Sequence, residues 1–375
     1  MSEWDSEVRA KRYAVIKTRT FLLDLTLTVV FLAVFQVLIS SPTAAAAGGV
    51  SNNFFVICFV YSTVFLSFMY LTGLPLRFYS TFYIEYRFGL SDQGFFAWCV
   101  DECKSAGLTF IVLMLGIETF YFLLRSCPGW WPLVLAFVWM LFSIGLTRVA
   151  PIVIVPLFFR YLPVDKEELK TRLITLGEEA GISVMDICRI DLSKKTKKAN
   201  AALIGLGKSR KVILADTLTG NFTLSEIEMV VAHEFGHHKF HHIWRLLAFS
   251  GFSAMVGFYL LFLVIGPVSM FFGVSGGTEL RIFPVIMFLL MIFSFGVLPL
   301  QNLFSRMLEK QADRFALGLT GDPVTFISVM KKLGSMNLAE TNPSVIKKIF
   351  FYDHPPISER IEMAEKWEGL RTQEN

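Results

Sequence analysis

Six stretches of this chain, roughly 21–41, 54–77, 107–124, 130–158, 245–270 and 282–304, are apolar enough to cross a bilayer as helices. Spanning a hydrocarbon core of about 30 Å takes about 20 apolar residues in a helix, because lipid offers no partner to an open backbone polar group. That requirement selects a multi-pass helical membrane protein. Composition agrees: 54% of the 375 residues are hydrophobic and only 18% are charged, with a mean hydropathy of +0.56. An ordinary soluble domain carries about a quarter charged residues. The net charge of +4 is small, and Lys and Arg fall between the apolar stretches, so nucleic acid is not an expected partner.

The fourth stretch carries Pro132, Pro151 and Pro156 and is expected to kink or break near Arg148. The first follows Arg9, Lys11, Arg12, Lys17 and Arg19 and precedes SPTAAAAGG, the layout of a signal peptide. Its apolar run exceeds a signal-peptide core, which predicts a retained anchor. Asp24, Glu118 and Arg148 lie inside spans, where a charge costs about 2.5–3.5 kcal/mol, so they are expected to face protein or water. The five cysteines show no CxxC pair and read as small apolar packers.

Lys and Arg concentrate in the N-terminal tail, the 78–106 loop, 159–244 and the tail after 304, whereas 42–53, 125–129 and 271–281 carry few. By the positive-inside rule both termini and both long polar regions face the cytoplasm, and 159–244 and 305–375 must together form the soluble part. Within it, 165–180 has helical periodicity, DICRIDL (186–192) and KVILAD (211–216) read as strands, and 305–319 and 322–334 as helices. LSEIEMVVAHEFGHHKFHH (224–242) predicts a helix capped by Thr223 or Ser225 and running into the fifth span.

Five of the six histidines fall in HEFGHHKFHH (233–242). His233 and His237 are four apart, so both can reach one ion from the same helical face, and Glu234 sits beside them as a general base. The pairs His237/His241 and His238/His242 share the spacing and could bind metal, but neither has a glutamate after its first histidine. A third histidine in the HExxHxxGxxH pattern is excluded by Phe240 and Ile243. The third ligand must come from elsewhere, and LEKQADRFAL (308–317) offers Glu309 to complete a His2Glu zinc site and Asp313 to hydrogen-bond a ligating histidine from outside. NAALIGLG, uncharged with two glycines, could be an edge strand open to pairing with a peptide.

HExxH, a span pair, ExxxD in EKQADRFA and then DHPPISERI (353–361) together resemble the type I integral-membrane CAAX prenyl endopeptidases, a gluzincin family. YLTGLPLRFYSTFYIEYRFG (70–89), RVAPIVIVPLFFRYLPVD (148–165) and KKANAALIGLGKSRKVILADTL (197–218) are similar to the same family, so the resemblance covers roughly 55–367. It implies a predominantly α multi-pass bundle or barrel enclosing a chamber, with an α+β zincin-like metalloprotease domain. It implies one zinc ion per chain on His233, His237 and Glu309, with Glu234 as base and Asp313 as the outer acid. It further places His354 near substrate and oxyanion, and Asn200 and Ala201 on the strand holding an extended substrate. Arg360 is assigned a role outside the ligand set, with Glu309, Asp313 or a substrate carboxylate as its partner.

The implied organisation is a tail and about four membrane helices (1–158), a cytoplasmic metalloprotease part with HExxH (159–244), two membrane helices (245–304) and a second cytoplasmic part with ExxxD and HPP (305–375). The implied activity is removal of the C-terminal tripeptide from prenylated CAAX-type proteins by attack of zinc-bound water, in the bacterial inner membrane or endoplasmic reticulum. Peptide or protein substrate with a lipidated C-terminus and the bilayer are the implied partners. Two alternatives stand beside it: a heat-shock-type quality-control metalloprotease, and a non-catalytic metal-binding transporter or scaffold. The sequence departs from the family's pattern at Lys197, Lys198 and Ala199, where polar Ser-His-Ser-like residues are common, and at His241, often glycine. It also has one fewer N-terminal span than eukaryotic members, so six spans are expected. RTQEN carries neither a CAAX box nor a retrieval signal, which points to a prokaryotic source.

Overall fold

The computed structural model describes residues 3–205, 210–274 and 276–374. The N-terminal half supplies α1 (Glu7–Val50), α2 (Phe54–Arg87), α3 (Phe95–Ser126) and α4 (Trp131–Phe158), each long and apolar enough to cross a membrane. Pro151 does not divide α4. A π-helical turn over Ala150–Ile154 carries the helix past it, the looser turn absorbing the hydrogen bond that proline cannot donate.

A small mixed sheet follows, from β1 (Tyr161–Pro163), β2 (Asp186–Ile190), β3 (Ala201–Ile204) and β4 (Lys211–Ala215), with α5 (Glu167–Glu179) between its first two strands. The order is β1-β2-β4-β3, with β2 and β4 parallel and β3 antiparallel to β4. Thus β3 lies at an edge of the described sheet, one of the two positions open to the NAALIGLG stretch, whose residues 206 and 207 lie outside the described residues. After a short helical turn over Asp216–Asn221, α6 (Leu224–Lys239) packs beside β3.

Sequence periodicity predicts that α6 continues into the fifth span, and here the structure differs. The helix ends at Lys239, His241 adopts a left-handed conformation with φ 55°, and the fifth span, α7 (His242–Phe271), starts anew. Apolar and polar residues alone cannot signal this break, because the turning residue is not glycine. The sixth span belongs to α8 (Phe283–Thr320), which projects beyond the apolar stretch and ends at Gly321, φ 65°. After it come α9 (Pro323–Asn337), capped by Asp322, then α10 (Val345–Phe351) and α11 (Ile357–Glu374).

The two polar regions share one core. Leu169 and Leu173 of α5, Val231 and Phe235 of α6, Leu317 of α8 and Val329 of α9 are all fully buried in it. Each contributes about 1.5–3 kcal/mol of hydrophobic stabilisation. A second core, built on Phe35, Tyr61, Phe65, Tyr121, Trp131 and Phe283, joins the spans at the end away from the sheet. Between 6% and 33% of the most apolar window of each span is buried. So low a share fits helices whose outer faces meet lipid and whose inner faces border a chamber. Asp24 and Arg148 are exposed, while both carboxylate oxygens of Glu118 are buried.

Candidate metal centre

Thr223 starts α6 with a reciprocal cap: its hydroxyl accepts from the Glu226 N–H at 3.3 Å, and the Glu226 carboxylate accepts from the Thr223 N–H at 2.8 Å. One turn apart on this helix, His233 and His237 bring their Nε2 atoms to 3.0 Å. Gly236 faces α8, where an added Cβ would stand 2.9 Å from the Ala312 Cα. Its missing side chain lets the two backbones meet, and Glu309 reaches both imidazoles. Oε2 lies 3.3 Å from His233 Nε2, and Oε1 lies 3.3 Å from His237 Nε2.

Among the described residues, His233, His237 and Glu309 form the one His/Cys/Asp/Glu group whose donors converge closely enough for a metal ion. The donor set fits zinc. Tetrahedral ligands at about 2.0–2.1 Å stand about 3.3–3.4 Å from one another, close to the separations seen. Glu309 Oε2, moreover, is buried without a hydrogen bond. An anionic oxygen desolvated in this way, with only the ring nitrogens of His233 and His354 near it at 3.3 and 3.5 Å, favours a cation between them.

The outer nitrogen of His233 is buried beside one carboxylate. Asp313 Oδ1 lies 2.8 Å from its Nδ1, and Asp313 Oδ2 accepts from Arg360 Nε at 2.8 Å, with Arg360 Nη2 on the other oxygen. Of the three partners open to Arg360 from sequence, the structure joins it to Asp313. Glu234 stands beside the pair, and burial pushes its carboxyl above the usual carboxylate range, against the pull of the neighbouring histidines. His354 reaches in from the opposite wall, Nε2 3.5 Å from Glu309 Oε2 and Nδ1 2.8 Å from Asp353 Oδ1. The Asp353 hydrogen bond holds its imidazolium above the ordinary histidine range.

A cavity of about 440 Å³ runs between these groups, lined by Asn200, Ala201, His233, Glu234, His354 and Arg360. The site residues read from sequence are therefore together, with the free edge of β3 along one wall. Lys197 and Lys198, at the departures from the family pattern, are paired with Asp92 at 2.7 Å and Glu85 at 3.0 Å.

Sequence reasoning missed the residues that hold the His354 loop. Asn302 donates to the carbonyls of Ile349 and Phe350 at 3.1 and 2.9 Å, and Arg306 Nη1 to those of Lys348 and Tyr352 at 2.8 and 2.5 Å. Together they satisfy the open carbonyls at the end of α10 and fix where 353–356 begins. The signal was present: Asn302, Arg306, Glu309 and Asp313 follow the 4-3-4 spacing of one helical face, and all four are buried.

A model of Peptidase family M48 matches residues 163–368, and one described as CAAX prenyl protease N-terminal, five membrane helices, matches 5–160. Four of the six long apolar helices fall within that N-terminal match. The metalloprotease YhfN of Bacillus subtilis is 29% identical over 307 residues, 80% of this chain and 71% of that protein. CAAX prenyl protease 1 of Saccharomyces cerevisiae is 29% identical over 313 residues, 78% of this chain and 68% of its own. The fold matches the crystal structure of S. mikatae Ste24p with a TM-score of 0.85 at 22% identity, covering 96% of this chain and 89% of that one.

Proposed function

The chain belongs to peptidase family M48 and is a multi-pass membrane metalloendopeptidase, and from that premise we propose that one zinc ion on His233, His237 and Glu309 serves cleavage near the lipidated C-terminus of a protein. The convergence of three donors within 4.8 Å, with Glu234 next in sequence to the first of them, carries the reading. Bound there, zinc supplies a Lewis acid that polarises the scissile carbonyl and acidifies water.

The chain's own groups do the rest. Glu234 takes a proton from the attacking water and, as a carboxylic acid favoured by burial, holds it for the leaving amine. His354, kept protonated by Asp353, donates toward the oxygen where negative charge develops. Ala201, which starts β3 at the described sheet's edge, offers backbone groups to an extended peptide, and Asn200, whose carbonyl is taken by the Ala215 N–H at 3.0 Å, offers its side chain beside it. Asp313, anchored by Arg360, keeps the His233 proton on Nδ1 and its lone pair on Nε2.

The names of the curated relatives support prenylated CAAX-type proteins as substrates. The distribution of Lys and Arg supports a cytoplasmic site and cytoplasmic termini. Purified wild-type and E234Q protein test the mechanism through zinc content and peptide cleavage. E234Q is expected to keep zinc and lose cleavage; a variant that keeps both contradicts the role of Glu234. A farnesylated C-terminal peptide is expected to be cut faster than its unlipidated copy, and equal rates count against the lipidated substrate.

A further inference from the structure

His233 has its outer nitrogen held by a carboxylate, and the corresponding atom of His237 is held differently. The left-handed turn at His241 returns the chain on itself, so His242, the first residue of α7 and 1% exposed, lies against His237. Its Nδ1 is 3.0 Å from His237 Nδ1, its Nε2 is 3.1 Å from Gln311 Oε1, and the same Gln311 oxygen accepts from Arg245 Nη1 at 3.1 Å.

Donor and acceptor directions follow from one fixed point. Arginine only donates, so the Gln311 atom facing it must be the carbonyl oxygen, not the amide nitrogen. That oxygen requires a proton on His242 Nε2. A neutral imidazole carries one N–H, so His242 Nδ1 is an acceptor and His237 Nδ1 is the donor. The lone pair of His237 then lies on Nε2, the atom facing Glu309 Oε1 at 3.3 Å. The reverse direction would need a doubly protonated His242 sharing its acceptor with the Arg245 guanidinium.

We propose that Arg245, Gln311 and His242 form a relay that fixes the tautomer and ring orientation of His237 for metal binding, making His242 and Gln311 positioning residues. This rests on the reading of His237 as a zinc ligand. The two ligating histidines are thereby held by unlike partners, His233 by an anion and His237 by a neutral ring. Gln311 lies midway between Glu309 and Asp313 on α8, so one helix supplies the carboxylate of the site and a partner to each outer contact.

The test is the zinc dissociation constant of the full chain in detergent, from competition with a chelator, for wild type, H242F, H242Q and Q311L. H242F keeps the ring volume and removes the acceptor; it is expected to weaken zinc binding about 10–100-fold. H242Q, whose side-chain oxygen can accept from His237, is expected to recover most of that loss, and Q311L to weaken binding less than H242F. Zinc-free melting of each variant reports folding separately. A folded H242F with wild-type affinity overturns the relay, as does H242Q no better than H242F. If H242F fails to fold, Q311L decides, and unchanged affinity there counts against the proposal. Wild-type protein that binds no zinc would defeat the zinc reading itself, which is a different result from either.

Discussion

Asp313 shows how much one residue carries. It is fully buried, it contacts His233 Nδ1, and it is the counter-charge of Arg360, itself 9% exposed. Removing one partner of such a pair strands the other charge, at a cost of about 3–5 kcal/mol. D313N is therefore expected to lower the unfolding free energy of metal-free protein by about that amount, measured by denaturant titration, and D313L/R360M to lie nearer to wild type. Equal stability of D313N and wild type would mean that the pair is not held as described. Asp313 was legible from sequence because it lies one helical turn from Glu309. His242 was not, because its contact depends on the backbone reversal at His241, which no periodicity in HEFGHHKFHH announces.

At the scale of elements, the site is the meeting of α6 and α8, and the distance between them is set by Gly236 against Ala312. G236A is expected to push the helices apart, because the new methyl meets the Ala312 backbone 2.9 Å away rather than a flexible side chain. Overpacking of this kind costs typically about 1–3 kcal/mol, and here it would also weaken zinc binding by separating Glu309 from the histidines. Chelator competition on G236A and on G251A, whose Cβ would meet the Met140 sulfur at 3.6 Å, checks this; equal zinc affinity in both would contradict it. The face of α8 has a division of labour that explains why polar residues persist next to an apolar span. Asn302 and Arg306 hold the carbonyls at the end of α10, Glu309 faces the histidines, and Asp313 anchors His233 and Arg360. The HExxH and ExxxD halves were readable because each pair lies on one helix with regular spacing. The carbonyl clamp was not, since an Asn and an Arg at the end of an apolar segment look the same whether they meet water or backbone.

For the whole molecule, six spans and two distant polar regions were visible in hydropathy and charge, and their joining was inferred from the Lys and Arg distribution that puts both on one side of the membrane. The contacts that fasten the halves were beyond sequence reasoning. One is Glu226, which caps α6 and also accepts from Ser328 at 2.7 Å and Lys332 at 2.6 Å on α9. Burial alone would raise its pKa, but Lys332 and the hydrogen bonds outweigh it and hold the carboxyl below its ordinary value. A depressed folded-state pKa means stability that is present above the ordinary carboxylate range of about 4.3 and lost as pH falls through the lower folded value. Thermal melts should therefore show E226Q less stable than wild type near neutrality, with the gap closing below about pH 4; a gap independent of pH would exclude this linkage.

The central claim is that one zinc ion joins the two polar regions through His233, His237 and Glu309. Anomalous diffraction at the zinc edge from crystals of the full chain tests it directly. The account predicts one strong peak about 2.0–2.1 Å from His233 Nε2, His237 Nε2 and a Glu309 carboxylate oxygen. A peak centred instead on His238, His241 or His242 would contradict it, as would crystals grown with zinc that show no peak between α6 and α8.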